Sequence, residues 1–172
     1  MKVFLAVSLL LCFLSAAVAD SSSTSQKEES TVILVIGAHG DAEYGIKFEE
    51  WAALWQKASQ AAGVSQITIG LKAEASVTDR ERLHQAIIGE SQKSAGELWI
   101  VLIGHGTFDG KEAKFNLLGP DVSASELASW LEPVHRPIAL IDTASASGPF
   151  INKLSQPGRV IVAATRSGHE QN

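Results

Sequence analysis

Five short apolar runs recur along the chain, each bounded by glycine, proline or polar turn residues. Their β-branched content and length predict strands near 31–37, 66–71, 97–104, 137–142 and 159–164. Between the first two, Phe48, Trp51, Trp55 and Ala58 repeat at three- and four-residue spacing, which predicts a helix over 46–62 with both tryptophans facing the core and Gly63 ending it. Thr78-Asp79-Arg80-Glu81 is a capping box opening a second helix to about Ser94, with Leu83, Ala86 and Ile87 inward and His84 off the stripe, at the surface. Ser123-Ala124-Ser125-Glu126 is another, starting a short helix that buries Leu127, Trp130 and Leu131. Residues 111–118 suit a hairpin arm, and 151–154 make at most a short helix.

Strands that alternate with helices imply a parallel sheet wound by right-handed crossovers, hence an α/β chain with a three-layer α/β/α architecture. The expected strand order is 2-1-3-4-5, with the third strand central. The fifth strand has no helical pattern after it. A doubly wound sheet covers both faces, so the expectation is a domain truncated after that strand.

The residues ahead of the first strand change the picture of where the protein works. Lys2, the apolar stretch Val3–Val18 and the small-residue site Ala17-Val18-Ala19 read as a signal peptide, residues 1–19, that directs export to a periplasmic or extracellular space. The Ser-, Lys- and Glu-rich stretch 20–30 reads as a disordered linker, which leaves 31–172 as the folded domain. With Lys2 removed, 13 basic residues oppose 19 acidic ones, a net charge of −6. That balance argues against nucleic acid as a partner, and against a membrane once the leader is cleaved. Cys12 is the only cysteine, so cleavage leaves no disulfide and no thiol.

Chemistry concentrates where two predicted strands end. The third runs into Gly104-His105-Gly106, and the fourth into Thr143-Ala144-Ser145-Ala146-Ser147-Gly148. In open α/β sheets, ligands sit beyond the carboxyl ends of the strands. Neighbouring strands would therefore bring His105 and Ser145 across one crevice, a base facing a hydroxyl nucleophile. Asp109 and Asp142 are the candidate acids to orient the imidazole. His39, Asp41, His105 and Asp109 lack a metal-binding spacing. The turns Gly37–Gly40 and Gly104–Gly106 do not complete a dinucleotide fingerprint. No metal or cofactor is expected.

The order of these motifs, Gly-Ala-His-Gly before Tyr44, then Ile-Gly-His-Gly, Ala-Ser-Ala-Ser-Gly and Val-Ala-Ala-Thr-Arg, resembles the legumain-like peptidases of the caspase clan. The resemblance covers most of 31–172 and implies a caspase-like fold. It assigns His105 and Gly106 to the family's His-Gly pair, and Ser145 to the position of its nucleophilic cysteine. Tyr44 falls near the family's Asn-Tyr-Arg segment, and Thr165, Arg166 and Ser167 fall in the loop that walls its specificity pocket. No arginine follows Tyr44, where Gly45 and Lys47 stand instead. A serine in a thiol-optimised site needs stronger base assistance than a cysteine does. Three functions follow as alternatives. One is a non-catalytic domain that binds a peptide or protein segment; another is a peptidase or esterase using Ser145 and His105. The third is an unrelated exported α/β domain that binds a small anion.

Overall fold

The computed structural model describes residues 30–72 and 76–171. The leader, and all of the linker but Ser30, lie outside the described residues. β1 (Thr31–Ile36) leads through α1 (Ala42–Ala62) to β2 (Ser65–Ile69), and α2 (Asp79–Ser91) precedes β3 (Leu98–Ile103). An arm follows, made of β4 (Gly106–Phe108), β5 (Ala113–Phe115) and β6 (Val122–Ser123). Then come α3 (Ala124–Leu131), β7 (Ile138–Asp142), α4 (Gly148–Leu154) and β8 (Arg159–Ala163).

The five long strands form one parallel sheet in the order β2-β1-β3-β7-β8. This is the expected α/β architecture and the expected order. β3 is central because all six of its residues are apolar and five of them are buried, as a strand covered on both faces requires. Side chains alternate across it. Ile100 and Leu102 join Leu83, Ile87, Leu127 and Phe150 beneath α2, α3 and α4, while Val101 and Ile103 meet Phe48 and Ala52 of α1. Helices on both faces make three layers.

Both capping boxes form, with Thr78 and Ser123 accepting from the backbones of Glu81 and Glu126 and the two glutamates reaching back. Where the sequence pattern and the structure differ, tertiary contacts are the reason. α1 starts four residues earlier than the expected start at 46, so Tyr44 lies inside its first turn. Gly45 tolerates that position because the His39 ring packs against it: a Cβ there would sit 3.3 Å from the imidazole. The arm is a three-stranded antiparallel sheet that begins at Gly106, directly after the histidine.

Trp51 is not a core residue. It is 44% exposed, and Leu54 is 65% exposed, because α1 does not extend over β7 and β8. On that side of the sheet Val160 and Val162 are exposed as well, 63% and 49%. Trp130 is only half-buried, stacked against His84 at 4.5 Å with the Arg80 guanidinium 5.3 Å from its ring. His84, expected at the surface, is instead half-buried by this stack.

Candidate functional site

β3 and β7 are adjacent and parallel, so their carboxyl ends deliver both motifs to the same end of the sheet. Gly106 is where they touch. A Cβ on it would lie 2.2 Å from the Ser145 carbonyl oxygen and 3.2 Å from the Ala144 methyl, so only glycine allows this approach. His105 and Ser145 also line one cavity of about 510 Å³, together with Tyr44, Phe48, Trp51 and Leu54 of α1.

The imidazole is oriented by backbone. His105 Nε2 lies 3.2 Å from the His39 carbonyl oxygen at the end of the β1 loop. A carbonyl only accepts, so Nε2 carries the proton and Nδ1 is left as the basic nitrogen of the neutral ring. Tyr44 meets the ring edge-on with centroids 4.6 Å apart, and Phe48 packs at 5.4 Å. The early start of α1 is thus what brings Tyr44 against His105.

The Ser145 turn is held from several sides. Thr143 donates from both its N–H and Oγ1 to the Leu102 carbonyl at 3.0 Å. Asp142 Oδ1 accepts from the Ala144 N–H at 3.0 Å. Ala146 adopts φ +58°, the only non-glycine residue among those described with a positive φ, and its N–H donates to the Glu170 carbonyl at 2.9 Å. Strain of this kind persists only where surrounding contacts over-determine it. Ser147 is fully buried: its Oγ accepts from the Thr165 N–H at 3.1 Å, and Thr165 Oγ1 accepts from the Gly148 N–H at 3.1 Å. At Gly148 a Cβ would lie 2.4 Å from the Arg166 carbonyl carbon. The Ser-Gly pair that ends the motif is therefore the clamp joining the turn after β7 to the loop after β8.

That clamp decides where the other candidates lie. Tyr44 is in the cavity. Thr165 is buried with its hydroxyl turned toward Ser147, and Oγ1 donates to the Ser167 carbonyl at 3.1 Å. Arg166 extends into solvent and pairs with Glu170. The loop supports the Ser145 turn from behind, and its three candidate residues do not line the cavity that holds His105.

Neither candidate acid orients His105. Asp109 caps its own turn, with Oδ1 accepting from Lys111 and Glu112 N–H groups at 2.9 Å, and these bonds hold its carboxyl below the usual range. Asp142 alternates onto the face of Ile138 and Leu140, away from α1. Burial pushes its carboxyl up to about 7, and Oδ2 has no hydrogen-bond partner. Among the described residues, His, Asp and Glu side chains nowhere gather in a group able to hold a metal. The Gly37 and Ala38 N–H groups are consumed by the Ile103 and Asn116 carbonyls, so these two are not available to an anion at that turn. Sequence reasoning missed the His39 carbonyl, which as a backbone group leaves no residue signature.

No family model matches the chain, and comparison with curated proteins returns no match.

Proposed function

We propose that the chain is an exported domain of the caspase-like, legumain-like peptidase fold, which binds a peptide or protein segment where His105 and Ser145 meet. We propose further that it is silent as a cysteine peptidase. The observation that carries this reading is the adjacency of the two motifs at the ends of β3 and β7, with Gly106 in contact with the Ser145 carbonyl. The export half rests on the sequence alone, on Lys2, the apolar stretch and the Ala17–Ala19 site.

Silence follows from the chemistry of the pair. A thiol is activated readily beside an imidazole, whereas a serine hydroxyl needs a base whose developing charge is stabilised. The His39 carbonyl orients His105 but carries no formal charge to stabilise an imidazolium, and neither aspartate substitutes for it. One observation favours the serine-hydrolase alternative: the same carbonyl faces Nε2, which in the neutral ring leaves the proton off Nδ1.

Turnover assays separate the two. Peptides and esters with Phe, Leu, Asn, Asp or a basic residue before the scissile bond are offered to wild type, His105→Ala and Ser145→Cys. The proposal expects no turnover by wild type and at most partial recovery in Ser145→Cys. Wild-type turnover that disappears in His105→Ala would install the serine hydrolase instead.

A further inference from the structure

Resting on that peptide-binding reading, we infer that the bound segment inserts a large, neutral, apolar side chain, aromatic or leucine-like, into the cavity between α1 and the ends of β3 and β7. The walls are Phe48, Trp51, Leu54, Trp55 and Ile103, and no charged side chain lines the space. His105, Thr143 and Ser145, at the ends of β3 and β7, and Tyr44 of α1 bring polar side chains to it. Of these, Thr143 Oγ1 is already donating to the Leu102 carbonyl, and His105 Nε2 is engaged with the His39 carbonyl.

Charge complementarity decides the occupant. An Asp, Asn or Arg side chain placed among these apolar walls would lose its hydration, and no side chain of opposite charge lines the space to offset that cost. On α1, outside the lining, Lys47 and Glu50 bond each other at 3.0 Å. Size agrees as well. About 510 Å³ lies within the range of sites that enclose a ligand group, and exceeds the volume of one aromatic side chain. Trp51 and Leu54 stay exposed in the free chain, and an inserted apolar group removes both from water. Such sites use apolar walls for affinity and a few convergent polar groups for orientation. Here the strand ends that carry His105, Thr143 and Ser145 are the place where the backbone of the bound segment passes.

The test uses the full chain and fluorescein-labelled blocked peptides, Gly-Gly-Xaa-Gly-Gly-amide with Xaa as Phe, Leu, Asp, Asn, Arg or Gly, read by fluorescence polarisation. The Phe and Leu peptides are expected to bind at least ~10-fold tighter than the Gly peptide, from the apolar area they bury. Leu54→Arg and Trp51→Ala both change partly exposed positions, and circular dichroism will report the fold. Each is expected to remove most of that preference. Asp, Asn or Arg peptides that bind as tightly as Phe would overturn the inference while leaving peptide binding at this site standing. A Phe preference that survives both variants would likewise overturn it by moving the site elsewhere. No binding by any peptide would overturn both the inference and the reading beneath it.

Discussion

Asp142 shows how one side chain can couple the Ser145 turn to pH. Its Oδ1 fixes the Ala144 N–H while Oδ2 is buried without a partner, and burial raises its pKa from 3.8 to about 7. The folded state therefore holds an extra proton between pH 4 and 7 relative to the unfolded chain. Stability falls as pH rises through that window and levels off above it, by up to roughly 4 kcal/mol for a shift of this size. Glu81, Glu97, Asp109, Glu126 and Glu170 act with the opposite sign, because hydrogen bonds lower their pKa values and their contribution is lost only in acid. Asp142→Asn keeps the acceptor for Ala144 and removes the titration. Urea unfolding at pH 5 and pH 8 is expected to show the wild type losing stability relative to Asp142→Asn at the higher pH. Parallel curves would mean that Asp142 is already ionised in the fold. Sequence alone placed Asp142 at the strand end, but its face and its burial depend on α4 and the register with Leu102.

Among the elements, the ones most legible in the sequence carry their instructions locally. The capping boxes at Thr78 and Ser123 need only a side chain three residues away, and both appear where the pattern puts them. The strands are legible for a related reason, since a run such as Leu98–Ile103 can only be buried. The first turn of α1 was hidden because Ala42–Gly45 has no apolar period, and the His39 ring rather than a helical signal explains its glycine. Ties between elements are equally hidden. Glu90 of α2 is buried against Arg136 of the loop before β7; Arg136 also donates to the Ala95 carbonyl at 3.0 Å, and Lys93 meets Glu90 at 2.8 Å. This cluster fastens α2 to the amino ends of the strands, opposite the site. Arg136→Ala leaves a buried carboxylate with one lysine, and is expected to cost ~3 kcal/mol in chemical denaturation. A loss under about 1 kcal/mol would show that water takes over the role of the guanidinium.

At the scale of the molecule, the sheet order brings two weak sequence motifs to one cavity. Ser-x-Ser-Gly is ordinary loop chemistry, and a glycine-flanked histidine is ordinary turn chemistry. Only the β1-β3-β7 neighbourhood brings His105, Tyr44 and Ser145 around one cavity. The same architecture limits what the sequence could reveal. Trp51 and Leu54 have the spacing of core residues, yet their burial depends on cover over β7 and β8, where Val160 and Val162 are exposed. No helix among the described residues is long and apolar enough to cross a membrane. In the proposed function Ser145 stands where a nucleophile would, without acting as one. The most direct measurement is fluorophosphonate labelling of the purified chain, followed by mass spectrometry of the peptide containing Ser145. The account predicts an unmodified Ser145 after prolonged exposure. A phosphonylated Ser145 that disappears in His105→Ala would contradict it and show a working serine nucleophile.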